Sequence, residues 1–128
     1  MAERGRTFMP FDLDRTTHTF TPTSDGLVET VTADRADDIE QITLIRGHLA
    51  VESRRFRSGD FSDPAHIHGP AMPGLAQLAA GAPRIDITYE DVPAGALIRF
   101  RSTDPALVAA LHAWGAAQTS DHGSHATS

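Results

Sequence analysis

The sequence predicts an α+β fold with the order ββα-ββα, a four-stranded antiparallel sheet with helices packed on one face. Two pairs of segments alternate apolar and polar residues around glycine-containing turns, which is typical of β-hairpins. Each pair is followed by a segment whose apolar residues recur at helical spacing. Because hairpins joined through helices tend to form one sheet covered on one side, these observations favour a single two-layer domain.

The first half supplies a hairpin and a long helix. Residues 17–21 and 27–32 are predicted strands on either side of a turn that contains Gly26. Asp34 is expected to cap the helix that follows, and Gly59 is a natural stop for it. The apolar stripe of this helix consists of Ile39, Ile42, Ile45, Leu49 and Phe56.

The second half follows a stretch rich in proline and glycine, residues 60–81, whose last part from Leu75 is helical in pattern. Strands are expected at 85–90 and 97–102, around a turn that contains Gly95. Their charged residues are expected to pair across the ladder, and these are Asp86, Glu90, Arg99 and Arg101.

The last helix is expected to begin at Asp104-Pro105, because an N-cap residue followed by proline is a strong start signal. Trp114 is interpreted as its core anchor. A chain of 128 residues with 40% apolar content should form one domain. We therefore expect an N-terminal arm (1–15), a single α+β domain (16–119) and a C-terminal histidine-containing tail (120–128).

The composition excludes several chemistries. The chain has no Cys, which removes thiolate nucleophiles, disulfides and zinc–thiolate sites, and no Lys, which removes Schiff-base amines. A net charge of −6 makes broad binding to nucleic acid or to an anionic membrane surface unfavourable. With no apolar run of membrane-spanning length, the expectation is a soluble cytoplasmic protein, and an exposed sheet face or edge suits a homodimer.

Two blocks carry a resemblance to a known family. The first reads Asp63-Pro64-x-x-Ile67-His68-Gly69-x-x-Met72-Pro73-Gly74-Leu75, and the second runs from Leu111-His112-x-Trp114 to Asp121-His122-Gly123. The chain resembles a family of small uncharacterised bacterial proteins that are often mislabelled aspartate carbamoyltransferase. The resemblance implies a shared fold unit and transfers no activity, since the chain lacks a carbamoyl-phosphate loop and the length of such an enzyme. The family pattern has one histidine in the first block, so His66 departs from it.

Seven histidines are the feature to explain. In an extended segment, His66 and His68 point to the same side and can meet one metal ion, or they can be solvated loop residues. His112 on the last helix, together with Asp121 and His122 beyond it, forms the second candidate group of ligands. His112 can equally be a half-buried structural residue.

The remaining histidines carry weaker signals. His48 flanks the stripe of the long helix near Glu52 and is interpreted as a hydrogen-bonded helix histidine. His18 is expected to be an ordinary surface residue, and His125 to be incidental to any site.

Three functions stay open at this point. The first is a transition-metal-binding protein for Cu, Zn or Fe at a site of His66, His68, His112, Asp121 and His122, with a possible open catalytic position. The second is a haem-binding protein or haem enzyme with His112 or His48 as the proximal ligand. The third is a metal-free lyase or isomerase that uses His and Asp for acid–base chemistry on a small molecule. A plain interaction module is the remaining alternative, so whether the protein is an enzyme stays open.

Overall fold

A computed structural model describes residues 12–59, 75–122 and 126–127. The elements follow the predicted order, and the α+β fold class is confirmed. The strands and helices are β1 (Thr16–Thr23), β2 (Gly26–Ala33), α1 (Ile39–Arg57), α2 (Leu75–Gly81), β3 (Asp86–Val92), β4 (Gly95–Arg101), α3 (Pro105–His122) and β5 (Ala126–Thr127). Short 3-10 turns at Leu13–Arg15 and Ala82–Arg84 precede β1 and β3.

The strands form one sheet in the order β3-β4-β2-β1-β5. The first four strands are antiparallel, and β5 adds in parallel to the edge of β1 beside His18 and Thr19. The two hairpins meet where β2 pairs with β4, and Glu29 lies opposite Ile98 near the middle of that pairing. The segment expected as a tail thus contributes the last three residues of α3, 120–122, and a short edge strand.

Two glycines permit this central pairing. A Cβ atom at Gly26 would lie 1.7 Å from the carbonyl oxygen of Phe100, and one at Gly95 would lie 2.0 Å from the carbonyl oxygen of Val31. Both distances are far below van der Waals contact with backbone that cannot move aside. Only glycine therefore fits where each hairpin turn approaches the other hairpin.

The start of α1 differs from the prediction. Asp38, not Asp34, is the N-cap, and its side chain accepts a hydrogen bond from the Gln41 amide. Asp34 instead accepts from the Thr17 hydroxyl across the end of the hairpin at 2.6 Å. Ile39 was expected in the apolar stripe, but it is 65% exposed because it occupies the first position of the helix and points away from the sheet.

Both long helices pack on the same face of the sheet, as predicted. α1 lies over β3, β4 and part of β2, α3 lies over β2 and β1, and α2 packs against α3. Trp114 is buried as expected, and it contacts three phenylalanine rings at centroid distances of 5.7 to 6.3 Å. Those rings are Phe20, Phe56 and Phe100. In the described part of the chain, no helix has the length and apolarity to cross a membrane.

The expected charge ladder between β3 and β4 is only partly present. Arg101 lies opposite Asp86 in the register, but its guanidinium bonds to Asp25 at 3.0 Å. Glu90 lies opposite Leu97 and reaches Arg99 along a diagonal at 3.9 Å. The register offset arises because the turn closes at Val92 and Gly95, which pair directly.

Candidate functional site

A buried carboxyl group is the most unusual feature of the sheet. Glu29 sits in the middle of β2 on the face that the helices cover, in phase with Leu27 and Val31. The residue is only 8% exposed, and no hydrogen-bond donor among the described residues reaches its Oε1 atom. Burying a polar atom without a partner costs free energy, so this position needs an explanation beyond packing.

A second acid approaches Glu29 from α1. Glu52 is 7% exposed and occupies the apolar stripe of the helix, one turn after Leu49 and one turn before Phe56. Its Oε2 atom lies 3.3 Å from Nε2 of His48, four residues earlier on the same helix. This contact is at ion-pair distance and is not a hydrogen bond of Nε2, so the expected hydrogen bond of His48 stays a prediction.

The two acids, Glu29 and Glu52, have different electrostatic surroundings. Burial raises the pKa of Glu29 well above its usual value, and the nearby negative charge of Glu52 raises that pKa further. Glu52 has His48 beside it as a positive partner whenever the imidazole is protonated. The pair thus contains one carboxyl group whose pKa is raised and one carboxyl group that contacts an imidazole.

The location of the cluster follows from the two flanks of α1. On one flank, Arg46 donates to the carbonyl oxygens of Val92 and Gly95, so that side faces the β3–β4 turn. On the other flank, Gln41 accepts from the Asp12 amide just before β1. His48 and Glu52 lie on this second flank by helical spacing, so they face the seam between α1 and α3. β2 runs beneath both helices, and this places Glu29 under the seam.

All three residues are largely shielded from solvent. Glu29 is 8% exposed and Glu52 is 7% exposed, and the side chain of His48 is 11% exposed. An imidazole and two buried carboxyl groups, one of them with a raised pKa, are groups that a general acid–base site uses. We call these three residues, Glu29, His48 and Glu52, the acid–base cluster.

His112 makes a hydrogen bond to the backbone of the sheet. Its Nε2 atom lies 2.8 Å from the carbonyl oxygen of Thr23, which can only accept, so Nε2 carries the proton. A metal or haem iron bound through Nε2 would have to break this bond. The half-buried structural interpretation of His112 therefore describes its observed contact.

The second group of predicted ligands lies along one helix. Asp121 and His122 occupy the last turn of α3, nine and ten residues after His112. Ten residues of helix span about 15 Å along its axis. Among the side chains that the structure describes, which do not include those of Asp121 and His122, no three His, Asp or Glu residues are grouped to hold a metal.

Three of the predicted histidines lie outside the described residues, namely His66, His68 and His125. His18 was expected on the surface, and this expectation is wrong because His18 is only 2% exposed. It faces the helices with Thr16 and Phe20, since alternate residues of β1 point to the same side.

Sequence reasoning missed Glu29 and Glu52, although both break an apolar pattern. Glu29 is the acid in the inward phase of Leu27, Val31 and Ala33, and Glu52 fills the gap in the stripe before Phe56. A polar residue at a predicted core position is the signal that could have identified them. The search for histidine motifs passed over both.

Comparisons of the chain with protein-family models, with curated proteins and with solved structures find no match. The resemblance to small uncharacterised bacterial proteins stays a prediction. The function is therefore argued from the acid–base cluster itself.

Proposed function

We propose that this protein is a metal-free acid–base enzyme, a lyase or isomerase that moves a proton on a small molecule at the acid–base cluster. The observation that carries the proposal is the burial of the Glu29 carboxyl near Glu52 and His48, which raises the pKa of Glu29 well above its usual value. Perturbed titratable groups that face one another are the usual mark of proton-transfer sites.

Each group has one role in this proposal. His48 removes a proton from carbon, and Glu52 orients the imidazole through the 3.3 Å contact. The electron pair of the broken C–H bond forms a carbon–carbon double bond, and Glu29 gives its proton to the carbonyl oxygen. From an enone the product of this step is a dienol; His48 then gives its proton to the far carbon of the dienol, and the enol O–H returns its proton to Glu29 as the carbonyl re-forms. An isomerisation of this kind needs no redox partner and no added reactant.

Proton exchange in deuterated water tests the proposal directly. A panel of small ketones, 2-oxo acids and enones is incubated with the protein, and proton NMR follows the loss of C–H signals at the carbon next to the carbonyl. We expect exchange above the buffer rate for at least one compound, and a loss of about 10²-fold or more in Glu29→Gln and in His48→Gln.

Glu40→Gln is the matched control, because Glu40 is an acid on the same helix with a 73% exposed side chain. It should exchange as the wild type does. Absence of exchange across the whole panel, or equal exchange in Glu29→Gln and wild type, would overturn the proposal.

Metal binding is the second proposed function, now for a smaller set of ligands. The structure ends α3 with Asp121 and His122, and the chain then returns to the sheet edge at Ala126–Thr127. In this proposal Asp121 and His122 bind Cu, Zn or Fe together with His66 and His68, which lie outside the described residues. Elemental analysis of untagged protein should find stoichiometric metal that is lost in His68→Ala and retained in His112→Gln. Absence of metal after reconstitution would contradict the metal-binding proposal.

The haem alternative would show as a Soret band in the same sample.

We also propose a homodimer in which two copies pack their outer sheet faces. That face is rich in β-branched residues, namely Thr17, Thr21, Val28, Thr30 and Thr32. Its four charged side chains balance, since Asp86 and Glu90 are matched by Arg99 and Arg101, whereas the whole chain carries −6. Two acidic copies approach most easily across a neutral patch.

Sedimentation of the wild type should show a concentration-dependent dimer that Thr30→Arg abolishes. Thr103→Arg is the control, because Thr103 is exposed in the turn before α3. A wild-type monomer at all concentrations would contradict the dimer. The cytoplasmic location expected from the sequence stays a proposal, and fractionation of the source cells would test it.

A further inference from the structure

From the solvent-facing side of α1 we infer that the protein has a second self-association surface, on which the same helix of another copy packs in the antiparallel direction. The surface consists of Glu40, Leu44, Gly47, Val51 and Arg54, and we call it the α1 surface. It shares no residue with the acid–base cluster. It also lies on the other side of the sheet from the outer sheet face, because the helices cover only one face. The inference therefore goes beyond the proposed function.

The centre of the α1 surface is apolar. Leu44 and Val51 are each 36% exposed, and together with Ile39 they are the large apolar side chains that reach solvent in the described part of the chain. All three belong to α1. Leu44 and Val51 lie two turns apart on the side of the helix that faces away from the sheet, opposite the buried stripe with Ile45 and Leu49. Two apolar side chains at this spacing suit the packing of a second helix.

The residues of the α1 surface repeat at the spacing of a coiled-coil seam. The steps from Glu40 to Arg54 are four, three, four and three residues, so all five residues lie on one side of the helix. The pattern also has a centre, since Glu40 lies seven residues before Gly47 and Arg54 lies seven residues after it. A twofold axis at Gly47 therefore relates the surface to itself, which is the requirement for a contact between two identical copies.

Opposite charges at the two ends of the surface select the antiparallel direction. The side chain of Glu40 is 73% exposed, and Arg54 is exposed as well. In an antiparallel pair that crosses at Gly47, Glu40 of each copy meets Arg54 of the other copy. A parallel pair would set two glutamates together at one end and two arginines together at the other. The same residues thus attract in one direction and repel in the other.

Gly47 lies at the point where the two helices cross. A Cβ atom added to Gly47 has nothing within 4 Å, so packing inside one copy does not require glycine at this position. Glycine in the middle of a helix destabilises it relative to alanine, because the unfolded chain gains conformational freedom. A second helix gives the glycine a purpose, since the absence of a side chain lets the two backbones approach closely.

The neighbouring helix extends the surface with an uncharged flank. α3 lies beside α1 on the same side of the sheet, and residues 105–120 contain no Asp, Glu, Lys or Arg. The exposed side chains of its described part are one proline and four alanines, namely Pro105, Ala106, Ala109, Ala113 and Ala116. A second copy can cover this flank without removing a charge from water.

The size of the two helices sets the strength of the contact. α1 has 19 residues and α3 has 18, so each helix is about 28 Å long and about 10 Å wide. Side by side they present roughly 560 Å² in each copy, or about 1,100 Å² in the pair. Stable interfaces begin at about 1,200 Å². We therefore expect a reversible pair that exchanges copies and that cross-linking can trap.

Cross-linking through introduced cysteines tests the direction of the pair. The chain has no cysteine, so each variant carries a single thiol. A mixture of Glu40→Cys and Arg54→Cys protein, treated with a short bifunctional maleimide, should give a covalent dimer. Either variant alone should not, because the two thiols then lie 14 residues apart along the antiparallel pair, a distance of about 21 Å. No covalent dimer in the mixture, or equal yields from the mixture and from one variant alone, would overturn the inference.

Further substitutions, made in both copies of the mixture, test the centre of the surface. Leu44→Arg should lower the yield of covalent dimer by at least about tenfold, because it places two charges in the apolar centre of the pair. Gly47→Gln should also lower the yield, and it should keep the fold because glutamine is a better helix former than glycine. Ile39→Arg is the matched control, since Ile39 is an apolar residue of α1 that is 65% exposed and lies outside the seam. Equal losses in Leu44→Arg and Ile39→Arg, or an unchanged yield in Gly47→Gln, would overturn the inference.

Thr30→Arg separates this contact from the dimer proposed for the outer sheet face. Thr30 belongs to β2 and faces away from the helices, so Thr30→Arg in both copies should leave the yield of covalent dimer unchanged. If Thr30→Arg removes the covalent dimer, the α1 contact depends on the sheet face and the inference falls. If Leu44→Arg removes it and Thr30→Arg does not, the α1 surface is an interface in its own right.

Discussion

Glu29 and Glu52 are both buried and interact electrostatically, one from the centre of a strand and one from the apolar stripe of a helix. Two acids in a core of this size lower the stability that packing alone could reach, because each must leave water. The contact between Glu52 and His48 offsets part of that cost. The part of this free-energy cost that is not offset should make the stability of the protein depend on these two residues.

The first consequence is a pH-dependent stability. Because the pKa of Glu29 is raised in the folded protein, the folded state binds more protons than the unfolded state above the ordinary carboxyl pKa. The free energy of unfolding therefore falls as pH rises through that window, by up to about 1.4 kcal/mol per pH unit.

Glu29→Gln removes the titration, so it should be more stable than the wild type at pH 8 and should lose this advantage near pH 4. Urea unfolding at several pH values, followed by circular dichroism, measures the difference. A pH-independent difference between the two proteins would refute the prediction. Glu40→Gln should reproduce the wild-type pH profile.

Two glycines should respond to alanine in opposite ways. Gly26→Ala places a methyl group 1.7 Å from the Phe100 carbonyl oxygen and should destabilise the fold by more than about 2 kcal/mol. Gly47 lies in α1 with nothing within 4 Å of its added Cβ, so Gly47→Ala should stabilise by roughly 0.5–1 kcal/mol. Thermal unfolding of the two variants compares them. A stabilised Gly26→Ala would show that the β2–β4 pairing is wrong.

The Tyr89 hydroxyl should lose its proton at a higher pH than an ordinary tyrosine does. Burial and its hydrogen bond to Asp91 raise the pKa of the Tyr89 hydroxyl to about 12. In Asp91→Asn that pKa should fall, and it should stay above the ordinary value because the burial remains. The chain has a single tyrosine, so ultraviolet absorbance during alkaline titration reports on this group alone. An unchanged titration in Asp91→Asn would exclude the contact.

The start of α1 depends on Asp38. Its carboxylate accepts from the Gln41 amide and forms an ion pair with Arg15 at 2.7 Å, so it joins the turn before β1 to the helix. Asp38→Ala should cost about 1 kcal/mol of unfolding free energy. Asp37→Ala is the control, since that side chain is 73% exposed and should cost less than about 0.5 kcal/mol. Equal losses would place the cap elsewhere.

The fold was predictable because its signals are local. Alternation around Gly26 and Gly95, the stripe of α1 and the start at Asp104-Pro105 identify every element of the ββα-ββα order. The residue at which α1 begins was not predictable in this way. Asp34 and Asp38 are both good N-cap residues, and only the position of the hairpin decides between them.

The site was harder to predict, because its residues come together only through packing. Glu29 and Glu52 lie 23 positions apart and belong to no motif, so their meeting depends on how α1 crosses β2. The histidine blocks were identified as candidate sites because the spacing of metal ligands can be recognised in a sequence. His112 illustrates the weakness of that approach, since its partner is a backbone carbonyl 89 positions away.

The pairing of β2 with β4 gives the molecule an approximate twofold relation. The shift of 69 residues that carries Gly26 to Gly95 also carries Glu29 to Ile98, and these two residues are direct partners across the ladder. The axis that relates the two hairpins therefore passes between them. A glutamate at both positions would set two buried acids side by side on the sheet, so the site can exist only where the two halves have different sequences.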